Sequence, residues 1–185
     1  MEDSRVTNFT TDWTTRYVKT WTRWLQEFAG KPNIKALEVG CHEGRSSLWF
    51  CENILTGDRC RLDCVDAWVM RPETEPRFDQ NTAGLPINKI KSLSVVALPK
   101  LLLENRRYSF AYVDGNHNSE FVLFDLIVAW QMIRSGGILI ADDYTLTTSK
   151  LKYPPKLAIE SLIACLHDSR AGHEIVGNQV AFWKT

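Results

Sequence analysis

The 185-residue sequence lacks a long hydrophobic run and an excess of charge of either sign. The longest apolar stretch, around residues 121–133, is interrupted by a charged residue and is too short to span a bilayer, so we expect no membrane partner. Lysine plus arginine total 22, as do aspartate plus glutamate. A formal charge of zero gives no strong attraction to nucleic acid, so we expect a small-molecule partner instead.

The sequence also lacks the cysteine pairs of a zinc knuckle or a disulfide framework. Its five cysteines are odd in number and include no C-x-x-C pair. Cys60 and Cys64 are the nearest pair, but no second pair or closely spaced histidine pair completes a zinc site with them. The polar start, residues 1–12, has no apolar signal-peptide core. We therefore expect reduced thiols and a cytoplasmic location.

Short apolar runs alternate with helical patterns along the rest of the chain. Strand patterns occur at 34–39, 61–65, 89–91, 110–113, 138–141, 174–176 and 180–183, and helical patterns at 13–28, 46–55, 95–104, 119–133 and 155–167. Gly136-Gly137 is expected to stop the fourth helix, and Gly177-Asn178 indicates a hairpin between the last two strands. This order predicts one α/β domain with a doubly wound, mostly parallel sheet and a C-terminal antiparallel hairpin.

Two segments outside the strands have more than one interpretation. Residues 13–28 place tryptophans and other apolar residues at helical spacing, which indicates packing against the sheet, with a substrate lid or a homodimer surface as alternatives. Residues 67–86 are polar and contain three prolines, which predicts a loop. That loop either closes over a ligand or is an idle surface insertion.

Residues 36–47 (ALEVGCHEGRSS) have the pattern of a strand that ends in a turn before a helix. Gly40 permits a tight turn, and Gly44 leaves room for a ligand to approach backbone N–H groups at a helix start. The G-x-x-x-G spacing differs from the dinucleotide fingerprint G-x-G-x-x-G, which disfavours a nicotinamide oxidoreductase. A purely structural turn is the alternative.

Acidic residues lie at or just after the ends of four strand patterns: Glu38, Asp66, Asp114 and the pair Asp142 and Asp143. Because ligands bind outside the carboxyl ends of parallel strands, these side chains are candidate site residues. Asp66 is placed to accept hydrogen bonds from a ribose diol. The three later aspartates are candidate ligands for a divalent ion such as magnesium, with His117 as a general base or further ligand. Turn formation and helix capping are the alternatives.

Four segments in this order resemble the motifs of class I S-adenosylmethionine-dependent methyltransferases, in particular the macrocin-type and related sugar O-methyltransferases. They are residues 37–47, 64–68, 112–117 and 136–144. The resemblance implies a seven-stranded, Rossmann-like sheet with a reversed terminal strand. It also implies O-methylation of a small hydroxylated metabolite or sugar, with S-adenosylmethionine as cofactor and magnesium as a candidate second one. A metal-independent methyltransferase and a non-catalytic cofactor-binding protein are the alternatives.

The same resemblance implies roles for individual residues, within a single domain of an N-terminal helical segment (1–31) and a core (32–185). The implied cofactor-binding residues are Glu38, Gly40, Cys41, Gly44, Ser46, Ser47, Asp66, Ala67, Trp68, Ser92 and Asp114. The methionine part of the cofactor is expected near Glu38 and Gly40, its ribose on Asp66 and its adenine beside Ser92. The implied catalytic residues are Asp114, as the base, and His117, as the reserve base, and the implied metal ligands are Asp114, Asp142 and Asp143.

Overall fold

The computed structural model describes residues 7–147, 152–166 and 171–185. The strands are β1 (Lys35–Val39), β2 (Arg61–Asp66), β3 (Ile87–Lys91), β4 (Tyr108–Val113), β5 (Ile133–Ala141), β6 (Gly172–Val176) and β7 (Gln179–Trp183). A 3-10 turn (Thr15–Tyr17) precedes α1 (Val18–Leu25), which is followed by α2 (Arg45–Asn53), α3 (Thr74–Asn81), α4 (Ser94–Leu103), α5 (Ser119–Met132) and α6 (Pro155–Leu166).

The strands form one seven-stranded sheet in the order β3-β2-β1-β4-β5-β7-β6. The first five strands along the chain are parallel, and β7 runs antiparallel to both β5 and β6. This confirms the predicted fold class. The strand order reverses between β1 and β4, which creates the kind of crevice in which open α/β sheets bind ligands.

Hydrophobic cores cover both faces of the sheet, because successive strand residues point to opposite sides. One core packs α1, α2 and α3 on residues such as Ala36 and Phe110, and the other packs α4, α5 and α6 on residues such as Leu37 and Ala111. Within the described residues, every helix falls short of the length and apolar character that crossing a bilayer would need.

The N-terminal aromatic helix packs against the sheet, as expected. Trp21, Trp24 and Phe28 are buried, and the ring centroid of Trp21 lies 4.8 Å from that of Phe50 and 5.2 Å from that of Tyr112. This apolar face is therefore covered by the chain itself, and it gives no support to a lid or a homodimer surface. In the same segment, half of the Trp13 surface is exposed.

Two local expectations are wrong. The segment 67–86 is not a loop throughout, because α3 forms there and buries Phe78 against the Trp68 ring. The helix before Gly136-Gly137 ends earlier, at Met132, and β5 already begins at Ile133. The two glycines lie within β5, beside a shift in register between β4 and β5, and Gly136 has a φ of +74°. The end of the last predicted helix, His167, lies outside the described residues.

A buried hydrogen bond joins the N-terminal helix to the far edge of the sheet. The Trp21 indole Nε1 donates to Gln179 Oε1 at 2.8 Å, and both residues are buried. Trp24 in the same helix donates its Nε1 to Glu174 Oε2, also at 2.8 Å, but Glu174 is accessible to water. Removing the Trp21 bond leaves the buried Gln179 Oε1 unsatisfied, whereas water can replace the Trp24 bond to Glu174.

We expect Trp21→Phe to lower the free energy of unfolding by about 1–3 kcal/mol more than Trp24→Phe does, because only Trp21→Phe orphans a buried acceptor. The two substitutions remove the same atoms from the same helix, so the cavity contributions are matched. Urea denaturation of both variants measures the difference. Equal losses would contradict the role given to the Gln179 contact.

Candidate functional site

The turn after β1 contacts the end of β4, at the point where the strand order reverses. A Cβ on Gly40 would lie 2.0 Å from the carbonyl oxygen of Asp114, and the φ of Gly40 is +85°. Gly44, the residue before α2, has a φ of +80°, and a Cβ there would lie 2.7 Å from Thr82 Cγ2. Both positions therefore require glycine, and the turn and Asp114 occupy the same crevice.

Glu38, which lies just before this turn, is completely buried and binds the start of the helix that follows the turn. Its carboxylate accepts hydrogen bonds from the hydroxyls of Ser46 and Ser47, in the first turn of α2. Burial raises the pKa of Glu38 to about 7. The structure thus brings together these three predicted cofactor residues, as an internal network that ties α2 to β1. A direct contact between them and a cofactor stays a prediction.

Asp66, at the end of β2, binds backbone N–H groups of the same turn. Its Oδ2 accepts hydrogen bonds from the backbone N–H groups of Cys41 (2.8 Å) and His42 (3.0 Å), and its Oδ1 accepts one from the N–H of Trp68 (2.7 Å). A carboxylate offers about four acceptor positions, so Asp66 can still accept from a ligand hydroxyl. Asp66 and the adjacent Ala67 are only partly buried.

Trp68 and Ser92 each donate a backbone N–H to Asp66, and the two residues differ in exposure. Trp68 is buried; its indole Nε1 donates to the carbonyl of His42 at 2.9 Å, and its ring packs on Phe78. Ser92 donates its backbone N–H to the carbonyl of Asp66 at 3.0 Å. Trp68 therefore supports the turn, whereas Ser92 lies at the exposed end of β3. Cofactor contacts for both stay predictions.

A second group of polar side chains lies at the ends of β4 and β5. One potential ligand atom from each of Asp114, His117 and Asp143 lies within 4.8 Å of the others. His117 Nε2 is 2.9 Å from Asp143 Oδ2 and 4.0 Å from Asp114 Oδ1. Asp142 lies behind this cluster, where its carboxylate accepts hydrogen bonds from Tyr112 and from Gln179 Nε2. Two of the three predicted metal ligands thus converge, together with the predicted base.

The cluster concentrates negative charge at a partly exposed position, with Asp142 buried behind it. Burial and the charges of Asp142 and Asp143 raise the pKa of Asp114 well above its usual value, and burial raises the pKa of Asp142. The hydrogen bond to Asp143 raises the pKa of His117. Within the described ranges, no lysine or arginine forms an ion pair with these aspartates. Protonation or a bound cation must balance the charge.

The sequence analysis missed three polar residues that organise this cluster. Tyr112 places its hydroxyl within hydrogen-bonding reach of Asp142 and 3.1 Å from Asp114. Asn178, in the β6–β7 turn, donates from Nδ2 to Asp143 Oδ1 at 3.1 Å, and Gln179 binds Asp142. The only sequence signal was the position of Tyr112, two residues before Asp114. The two hairpin residues reach the site only because β7 inserts beside β5.

Comparisons with known proteins agree with this geometry. The sequence profile of a family described as a methyltransferase domain matches residues 37–144. An O-methyltransferase from Bacillus cereus, solved with S-adenosylhomocysteine, superimposes with a TM-score of 0.69 at 16% identity, covering 95% of this chain and 84% of its own. A search of curated proteins finds no match.

Two further solved structures share the fold. The O-methyltransferase TomG from Streptomyces achromogenes, solved with S-adenosylmethionine, gives a TM-score of 0.67 at 14% identity, covering 94% of this chain and 82% of its own. MycE, from the mycinamycin biosynthetic pathway and solved with magnesium and S-adenosylhomocysteine, gives 0.66 at 14% identity. The match covers 94% of this chain and 51% of MycE, so the chain spans about half of MycE's length.

The sheet order, the glycine turn at the switch point and the acids beside it define a Rossmann-like, class I methyltransferase. The chain belongs to the methyltransferase-domain family whose profile spans residues 37–144. It is thus a class I S-adenosylmethionine-dependent methyltransferase, and the resemblance seen in the sequence motifs is confirmed.

Asp143→Asn is expected to lower the pKa of His117 towards 6.5, because it replaces the charged hydrogen-bond acceptor that stabilises the imidazolium with a neutral amide. Asp142→Asn removes only a more distant charge, so it should lower the pKa less. A histidine NMR titration of protein freed of divalent ions measures both, with His117→Gln assigning the signal.

Because folding raises the pKa of His117, the protonation of His117 makes the stability of the protein depend on pH. The stabilising contribution of His117 is fully present below pH 6.5 and is lost as the pH rises through the folded-state value. Asp143→Asn should therefore cost more stability at acidic than at alkaline pH. A His117 pKa that is the same in wild type and Asp143→Asn would contradict the assigned contact.

Proposed function

We propose that this protein transfers a methyl group from S-adenosylmethionine to the hydroxyl of a small molecule. The observation that carries the proposal is the convergence of Asp114, His117 and Asp143 beside the turn at Gly40. A proton acceptor next to a nucleoside-binding turn is what O-methylation requires. The zero net charge supports a small acceptor over a nucleic acid. The described cysteines form no disulfide, which supports a cytoplasmic location. One continuous seven-stranded sheet supports a single domain.

The turn and its neighbours supply the groups that suit a nucleoside cofactor. Asp66 keeps acceptor capacity for a ribose hydroxyl, as the family resemblance implies. His42 Nε2 is buried and has no hydrogen-bond partner among the described residues, so a ligand at the turn can satisfy it. The His42 ring also packs 5.2 Å from the partly exposed ring of Trp13, which places an aromatic side chain at the rim.

His117 is the residue that the geometry best equips to take the acceptor proton. Its Nε2 lies at hydrogen-bonding distance from Asp143, so in the neutral imidazole the Nε2–H donates there and Nδ1 is the unprotonated nitrogen. As the acceptor oxygen forms its bond to the methyl carbon, the carbon–sulfur bond breaks and the hydroxyl proton passes to Nδ1. Alignment supplies most of the rate, since holding reactants in line is worth roughly 7–11 kcal/mol.

The donor set of the acidic cluster also suits magnesium. Asp114 and Asp143 offer carboxylate oxygens that lack a lysine or arginine partner among the described residues, and Mg²⁺ prefers such ligands. These two residues would hold the ion, with Asp142 behind them. A bound magnesium ion would lower the pKa of the acceptor hydroxyl.

Isothermal titration with S-adenosylhomocysteine tests the cofactor part of the proposal. We expect Asp66→Asn to weaken binding by about 10- to 100-fold, because hydrogen bonds to a charged group are worth about 1.5–3 kcal/mol. Asp58→Asn is the matched control, because Asp58 precedes the other end of β2 and its side chain is largely exposed. Absence of binding to the wild type would overturn the proposal, and unchanged binding to Asp66→Asn would remove Asp66 from the site.

Titration with Mg²⁺ alone tests the metal part. Asp114→Asn and Asp143→Asn should each abolish a binding event that the control Asp79→Asn retains, because Asp79 lies in α3 and pairs with Lys89. Wild-type protein that binds no Mg²⁺ would overturn the magnesium assignment and leave His117 as the base. Binding that survives both substitutions would place the ion elsewhere.

A further inference from the structure

A second group of potential ligands lies in the core directly beneath the glycine turn. The side chains of Glu38, Cys41 and Cys64 bring one carboxylate oxygen and two sulfur atoms within 4.8 Å of one another. All three residues are buried, with exposed fractions of 0%, 2% and 0%. They come from three segments: the end of β1, the turn that follows it, and β2. The acidic cluster used in the proposed reaction shares none of these side chains.

We propose that Glu38, Cys41 and Cys64 form a binding site for a zinc ion. The site is separate from the magnesium site proposed for Asp114 and Asp143, and two of its ligands, Glu38 and Cys41, are also predicted cofactor-binding residues. It would be a structural site, in which these three buried side chains supply three of the four ligands that zinc takes in such sites.

One measured distance between ligand atoms matches tetrahedral coordination, and the other two pairs lie within 4.8 Å. Zinc–sulfur bonds of about 2.3 Å and zinc–oxygen bonds of about 2.0–2.2 Å, at a tetrahedral angle, place sulfur and oxygen about 3.5–3.7 Å apart. Cys64 Sγ lies 3.6 Å from Glu38 Oε2. Ser47 Oγ lies 3.7 Å from Cys64 Sγ and is a candidate for the fourth ligand. Closing this geometry around an ion requires the remaining ligand atoms to approach one another by up to about 1 Å.

The surroundings of the cluster have the organisation of a metal site. Glu38 is completely buried, and no lysine or arginine pairs with it in the part of the chain that is described. The hydroxyls of Ser46 and Ser47 donate to its carboxylate, as outer partners do for metal-ligating carboxylates. Two sulfurs select a borderline-soft ion such as Zn²⁺ over Mg²⁺. On binding, each thiol releases one proton to solvent and becomes a thiolate ligand.

An ion in this position would brace the turn that carries the cofactor-binding groups. The backbone N–H of Cys41 donates to Asp66, and the carbonyl of Cys41 accepts from the N–H of Gly44 at 2.7 Å. Fixing the Cys41 side chain therefore fixes both ends of the turn. Because the cluster is closed to solvent, loading requires folding in the presence of the ion or local opening of the turn.

The test is a metal titration of the full-length, reduced protein, unfolded with a chelator and refolded with Co²⁺ as a spectroscopic substitute for Zn²⁺. We expect one equivalent of Co²⁺ to produce a thiolate-to-cobalt charge-transfer band, and added Zn²⁺ to displace it. Cys41→Ser and Cys64→Ser should each lose the band, and Cys165→Ser should retain it because Cys165 is an exposed thiol outside the cluster. Zn²⁺ should raise the melting temperature of wild type and Cys165→Ser only.

Several results would overturn the site. They are the absence of a band in refolded wild type, a band that survives both cluster substitutions, and a band lost in Cys165→Ser. If Cys64→Ser does not fold, Cys64→Ala and Glu38→Gln replace it, and a band of wild-type intensity and affinity in a folded Cys64→Ala also counts against the proposal. The measurement contains no S-adenosylhomocysteine, so its failure leaves the methyltransferase proposal untouched, and failed cofactor binding leaves the zinc site standing.

Discussion

The site depends on the close approach of two backbones at the point where the strand order reverses. Gly40 has no room for a Cβ, because the carbonyl of Asp114 would lie 2.0 Å away. The N–H of Asp114 in turn donates to the carbonyl of Val39, and the N–H of Gly40 donates to the carbonyl of Val65. This contact fixes the ends of β1, β2 and β4 against one another. The glycine turn and the acidic cluster are therefore parts of one crevice.

Around this contact, buried hydrogen bonds connect distant elements to the acids. Trp21 in the N-terminal helix binds Gln179, and Gln179 binds Asp142. Asp142 also accepts from Tyr112, whose hydroxyl reaches Asp114. The N-terminal helix is therefore linked through Gln179 to the carboxylate of Asp142. Buried polar groups of this kind are costly to leave unsatisfied, so they specify one arrangement of the hairpin and the helix.

The parts of the site that were predictable are those in which local sequence and backbone position coincide. Gly40 and Gly44 revealed the turn, because positive φ and close packing favour a residue without a Cβ. Asp66 and Asp114 were found because parallel strands end at one edge of the sheet. The helix at 74–81 was missed, since Phe78 is its single buried apolar residue and one such residue gives no apolar periodicity. The glycines in β5 were misplaced because a bulge and a helix end favour the same residue.

The sequence by itself determined the order of the strands and of every helix except α3, the glycine turn and the row of acids, because each follows from short-range periodicity or from the end of a strand. Tertiary structure decided which acids work together: Asp143 reaches His117, whereas Tyr112 and Gln179 hold Asp142 behind them. It also joined Cys41 to Cys64, although the sequence offered Cys60 as the nearer partner. The reason is physical, since strand pairing and hairpin insertion set distances between residues far apart in the chain, and no local pattern encodes them.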